Sequence, residues 1–142
     1  MIAESIAAHL AADTNVQTQL GAPRADKTTG IWPLQAPDEP AVPWVVYQQV
    51  SGSPLQESFQ GTGRLKTSRW RFTAYGGSYK QAKALAQAII DAVLGMDGTQ
   101  ATGQTEIRGA WLKLEMDEAE SMPRGTIFAS HADFEINYYD LH

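Results

Sequence analysis

Hydrophobic positions in this chain recur with two spacings, and the change from one to the other marks the elements. Ile2, Ile6 and Leu10 stand four apart with Ala3 and Ala7 beside them, which predicts a short helix with a single apolar stripe. A helix of that length persists only when it packs on something else. From Asp13 to Pro43 the pattern breaks up, because Gly21, Pro23, Gly30, Pro33, Pro37, Pro40 and Pro43 interrupt any long regular element. This stretch reads as a Pro/Gly-rich arm or ordered loop, and Ile31 and Trp32 predict that part of it docks on the body.

Beyond the arm the spacing shortens to two. Trp44 to Val50 is rich in β-branched and aromatic residues and is bounded by Pro43 and Ser51-Gly52, which predicts a strand. A polar, glycine-bearing connection from Ser51 to Gly63 leads to Leu65–Tyr75, where Trp70, Phe72 and Ala74 alternate with Arg69, Arg71 and Thr73. That alternation predicts a strand with one buried face. Ser78 then stands three residues before Gln81 in a capping box, and Ala82, Leu85, Ala86, Ile89, Ile90 and Val93 follow helical spacing up to Leu94. Gly95 is expected to cap that helix in the left-handed conformation. A third strand is read over Ile107–Met116 with Leu112, Leu114 and Met116 on one face. An acidic loop is read over Asp117–Gly125, and a last strand over Ile127–Tyr139 with Ala132, Phe134, Ile136 and Tyr138 inward.

The order α-β-β-α-β-β predicts an α+β two-layer sandwich: a roughly four-stranded, mainly antiparallel sheet with two helices on one face. Arg69 and Arg71 on one strand and Asp133 and Glu135 on another are placed to pair across the polar face of neighbouring strands. If exposed, such pairs would set register more than stability. The length of 142 residues suits one domain, 1–142, with the arm at about 13–43 as part of it. An apolar fraction of 43% and a charged fraction of 19% are ordinary globular values, which argues against disorder.

Charge and residue inventory then narrow the chemistry. A net charge of −5 disfavours a chain that coats nucleic acid, since phosphate binding depends on clustered Lys and Arg. There is no cysteine, so disulfides, thiolate metal sites and cysteine nucleophiles are excluded. The N-terminal segment lacks the basic and apolar pattern of a secretory signal, and no run of apolar residues has the length of a membrane helix, so no membrane partner is expected.

His9, His131 and His142 lack metal-site spacing and read as ordinary surface or edge residues. Glu115, Asp117, Glu118 and Glu120 lack the ligand alternation of a calcium loop and read as a solvated strand end or a subunit rim. Gly61-Thr62-Gly63 leads into a strand instead of opening a helix, so it is not a phosphate cradle. Ser51, Ser53 and Ser121 have no evident base. Lys66, Arg69 and Arg71 surround Trp70, but alternation puts Trp70 on the other face, which argues against a base-stacking platform. No catalytic, cofactor or metal residue is therefore assigned, and no cofactor or sequence-specific nucleic acid is expected.

Several stretches carry a resemblance. They are Ala8-His9-Leu10-Ala11-Ala12-Asp13, Ile31-Trp32-Pro33, Pro43 through Gly52, Arg69 through Gly76 running into Ser78-Tyr79-Lys80-Gln81-Ala82, and the closing Asp133 through Tyr139. In their order these segments resemble the tail-completion or tail-terminator family of long-tailed bacteriophages and prophages. The resemblance implies a non-enzymatic morphogenesis protein of the virion tail or neck, made in the cytoplasm of the bacterial host. It implies a ring of identical subunits, typically a hexamer, that caps the tail tube, stops its polymerisation and joins the tail to the head. The implied partners are the chain itself, the major tail tube protein and the head-tail connector or neck protein, with DNA passing through an acidic lumen.

No family motif assigns individual residues. From exposure and position, the loop Ser53–Arg64 is expected to touch another subunit or the tube, with Leu55, Phe59 and Arg64 as interface residues. Two other roles fit the same residues: a different neck or head-completion adaptor, and a small-molecule-binding or enzymatic α+β domain. The second would need a pocket with convergent polar groups, which the sequence does not display.

Overall fold

The computed structural model describes residues 2–21, 24, 29–36, 42–56, 65–96, 100–101, 105–123 and 125–140. Its elements are α1 (Ile2–Ala12), α2 (Thr14–Leu20), β1 (Ile31–Pro33), β2 (Trp44–Gln56), β3 (Leu65–Gly76), α3 (Tyr79–Leu94), β4 (Gln100–Ala101), β5 (Thr105–Met122) and β6 (Gly125–Asp140). The sheet order is β1-β2-β3-β6-β5-β4. Four long strands, β2, β3, β6 and β5, form an antiparallel array, and β1 joins its edge parallel to β2. The expected α+β architecture with four long strands is present, but three helices and two short edge strands replace the two-helix, four-strand layout.

Both additions relative to the strand reading of the first half fall in the 13–43 stretch. Asp13 caps α2 by accepting the amide of Val16 at 3.0 Å, Val16 and Leu20 are buried one turn apart, and Gly21 closes the helix at φ 73°. Tertiary packing holds seven residues that would not stay helical alone. Ile31-Trp32-Pro33 pairs with Val45-Val46-Tyr47, so the docking expected from Ile31 and Trp32 is made through backbone bonds. The buried Arg24 donates to the carbonyls of Leu20 and Pro43, and its guanidinium lies where a Cβ at Gly30 would sit, 2.9 Å away. Gly30, at φ 76°, is thus required by conformation and by space.

One core joins the layers. It takes Val45, Tyr47, Trp70, Phe72, Ala74, Ala132, Phe134, Ile136, Tyr138 and Ile107 from a single face of the sheet, and Ile6, Leu10, Val16, Leu20, Leu85, Ile89 and Val93 from the helices. All three helices therefore cover that face; the other is called the open face below. Phe72 and Phe134 meet edge to face at 5.7 Å on neighbouring strands, a favoured quadrupolar arrangement at the centre of the core. Helix α1 is held by burial of Ile2, Ile6 and Leu10 and by His9 Nε2, 2.9 Å from the carbonyl of Ala92 on α3.

Helix α3 begins as predicted. Ser78 Oγ accepts the Gln81 amide at 3.1 Å, and the Gln81 side chain accepts the Gly77 amide at 2.8 Å, one residue earlier than a standard capping box. Its end differs from expectation: Gly95 is right-handed at φ −75°, because its amide still bonds back to Asp91 and Val93. The entry is tight. A Cβ at Gly76 would stand 2.7 Å from the Ala82 nitrogen, and backbone cannot yield as a side chain does. Gly76→Ala is expected to cost about 1–3 kcal/mol by overpacking, read as a lower urea midpoint at unchanged slope.

The second half of the sheet also departs from the pattern. β5 runs through the residues read as an acidic loop, and Pro123 stands in the turn to β6. A register shift between Leu112 and Leu114 places Lys113 in a bulge. Leu112 therefore pairs with Phe134 on the helix side, while Leu114 and Met116 pair with Asp133 and His131 on the open face. The three do not share a face, because one extra residue reverses the alternation on either side of it.

Candidate functional site

The open face is built by alternate residues of β2, β3, β6 and β5. From β3 and β6 come Arg69, Arg71 and Thr73 against Glu135, Asp133 and His131, in that register. The predicted pairing across these strands is present, with a different wiring. Arg71 makes a two-pronged contact with Asp133, Nε to Oδ1 at 2.8 Å and NH2 to Oδ2 at 3.1 Å. Arg69 reaches diagonally to the same Asp133 at 3.7 Å, while Glu135 accepts from Thr67 at 3.2 Å and pairs with Lys113 at 3.3 Å. Asp133 is 2% exposed, so this is a buried carboxylate and not the exposed pair expected. The bond to Asp133 raises the Arg71 pKa further above its ordinary value.

His131 belongs to the same network and is buried, contrary to the surface role expected for the histidines. Its Nε2 lies 2.6 Å from Glu118 Oε1 and its Nδ1 2.8 Å from Thr73 Oγ1. Against an ionised Glu118, which only accepts, Nε2 carries the proton. The ring therefore bridges β5 to β3 across β6. His9 is half-buried and bonded to α3, as an edge residue can be, and His142 lies outside the described residues.

On the helix side of β5, Asp117 joins hairpin to helix. It accepts from Ser130 at 2.8 Å and Tyr79 at 3.0 Å, and it pairs with Lys83 at 3.3 Å. The Ser130 hydrogen bond above all, then those from Tyr79 and Lys83, hold its carboxyl below the ordinary value against a desolvation that acts the other way. A depressed folded-state pKa adds stability that is present above the unfolded value, about 3.9, and is lost as the pH falls through the folded value. Melting temperature should therefore drop below about pH 4 more steeply in the wild type than in Asp117→Asn, as followed by circular dichroism. Two members of the acidic cluster are thus engaged with the fold, and no group of His, Asp and Glu among the described residues is arranged to hold a metal ion.

Apolar side chains stay outside this polar network. Trp111 is 49% exposed, Leu112 36%, Leu114 42% and Met116 43%. Trp111, Leu114 and Met116 form a row on the open face beside Glu135, Asp133 and His131. Trp111 is seated by its neighbour on that face: a Cβ at Gly109 would lie 2.6 Å from the indole ring, so the bare glycine makes room for it. Across the sheet, Trp44 stacks on Tyr75 at 4.8 Å, and burial followed by the Glu120 and Glu118 charges raises the Tyr75 pKa. Trp70 is buried on the helix side, as alternation predicted, and donates to Ser68 at 2.7 Å.

The predicted interface loop is only partly in view. β2 continues to Gln56 and β3 starts at Leu65, so the first residues of that connection are strand. Leu55 lies in β2 at the register shift between Pro54 and Gln56; its side chain, Phe59, Arg64 and Gly61-Thr62-Gly63 lie outside the described residues. Exposed Trp111, Leu114 and Met116 were not assigned a surface role from sequence, although an apolar row interleaved with Glu115, Asp117 and Glu118 is a signal that could have pointed to an edge strand.

A polar network thus ties β3, β6 and β5 together on the open face, and an exposed apolar row on β5 borders it. The comparisons give a family and a fold. Residues 4–117 match the model of the family described as tail completion protein gp17, so the chain belongs to that family of phage tail structural proteins. A chain in the solved structure titled "Virion of native gene transfer agent (GTA) particle" shares the fold at a TM-score of 0.64 and 16% identity, covering 96% of this chain and 92% of that one. Among curated proteins nothing matches. The chain is a phage tail structural protein, as its segments led one to expect.

Proposed function

We propose that this protein forms a ring, typically of six copies, that caps the finished tail tube, stops its polymerisation and joins the tail to the head connector, with no catalytic role. Membership in the tail-completion family carries the reading. The exposed row on β5 and the rigid open face support it, since aromatic and methionine side chains at the surface suit the centre of a protein interface. The partners are other copies of the chain, the tail tube protein and the neck connector. Assembly takes place in the bacterial host, and the product remains in the virion. The chain acts as one domain. Its net charge of −5 suits a lumen that passes DNA without holding it, by like-charge repulsion.

Leu55, Phe59 and Arg64 are assigned to contacts with a neighbouring copy or the tube. Phe59→Ala is expected to weaken ring formation and tail joining; unchanged rings and joining would remove that assignment. The whole reading is tested by light scattering and electron microscopy on purified chain mixed with tube protein. Discrete rings and tubes of fixed length are expected. A 15.5 kDa monomer that never associates, with tubes growing unchecked, would count against it.

A further inference from the structure

We infer that the outer edge of β5, from Leu114 to Met122, is a docking site for an extended segment of a different protein, one that is apolar where it pairs with Leu114 and Met116 and basic where it pairs with the carboxylates that follow and flank them. The edge is open. β4 pairs only with Thr105 and Glu106, so among the described residues no strand pairs with the outer edge of β5 from Leu114 to Met122. It is also regular: after the bulge at Lys113, register with β6 runs unbroken from Leu114↔Asp133 to Met122↔Gly125. Of the devices that blunt natural edges, bulges and proline are absent from Leu114 to Met122, and the charges present are all carboxylates, which repel an acidic strand and admit a basic one. Both faces brace it, Asp117 through Ser130, Tyr79 and Lys83, and Glu118 through His131 and Thr73. An incoming strand therefore meets a preformed template and loses little entropy on that side.

Charge and geometry select the occupant. The segment carries Glu115, Asp117, Glu118 and Glu120 and no basic residue, with exposed Leu114 and Met116 on the same face as Glu118 and Glu120. Antiparallel pairing with a second copy's β5 about its centre would set Glu118 opposite Glu118, and like charges directly opposite are destabilising. The other long open edge of this chain, Gln48–Gln56, is interrupted at Val50 and Leu55, contains Pro54 and has no charge to offer. A strand with lysine or arginine facing the glutamates and aliphatic side chains facing Leu114 and Met116 satisfies both. This assignment is independent of a ring built through surfaces other than the β5 edge.

The test uses the full chain, labelled for amide hydrogen exchange, and a capped synthetic peptide about eight residues long, with valine at the positions that pair with Leu114 and Met116 and lysine at those that pair with Glu115, Asp117, Glu118 and Glu120. Slowed exchange confined to the amides of 114–122 is expected. Leu114→Lys and Met116→Lys should each weaken binding about tenfold, with the same lysine change at Leu94, exposed on α3, as the neutral control. Equal binding by the peptide N-methylated along one edge would overturn the proposal, because charge alone would then suffice. Protection at 48–56, or no binding, would also overturn it. So would a free chain whose β5 amides are already protected in a species of several copies, which would hand the edge to a second copy.

Discussion

Phe134→Ala is expected to lower the stability of the isolated domain by about 3–5 kcal/mol, enough to unfold a marginal domain near body temperature. Phe134 is fully buried on β6, the strand flanked by both β3 and β5, and its ring meets Phe72 edge to face at 5.7 Å. Removing it takes away the transfer free energy of a large ring and leaves a cavity between stiff neighbours, Ile136 and Ala132 on its own strand and Trp70 opposite. Phe134→Leu should recover most of the loss, since it restores volume. Guanidinium unfolding followed by tryptophan fluorescence measures both. A Phe134→Ala cost below about 1 kcal/mol would show that this core collapses around the gap.

Arg71→Met comes next, at about 2–4 kcal/mol. The substitution keeps length and apolar stem but strands Asp133, which is 2% exposed, with only the more distant Arg69 at 3.7 Å. Breaking a buried pair from one side is expensive because the remaining charge is desolvated and unpaired. The figure sits below the full cost of such a loss because Arg71 is itself 31% exposed and water can enter its place. The double variant Arg71→Met with Asp133→Leu removes both charges and should regain at least half of the lost stability. If it does not, the pair is contributing attraction and not merely avoiding a buried charge. The cycle requires only equilibrium unfolding of four proteins.

Local patterns carried much of this structure. The i, i+3, i+4 spacing from Ala82 to Val93 and the Ser78 cap specified α3 because both signals act within one helix turn. Alternation at Trp70, Phe72 and Ala74, and at Phe134, Ile136 and Tyr138, specified which faces of β3 and β6 are buried, and with them the pairing of Arg71 to Asp133. Helix α2 was signalled only by an Asp13 cap, Val16, Leu20 and Gly21, too little against the surrounding prolines and glycines; packing decided it.

What the sequence determined by itself is the set of elements whose hydrophobic period is uninterrupted, the absence of thiol chemistry, and a family likeness spread over ordinary residues. What only the tertiary structure decided lies around β5. A bulge at Lys113 moves Leu114 and Met116 to the open face, partners on α3 and β6 turn an apparent acidic loop into a braced strand, and the sheet order leaves that strand at an edge. The reason is physical. Period and propensity report each residue's relation to its near neighbours along the chain, whereas edge position, bulges and the partners of buried charges depend on which strand lies alongside.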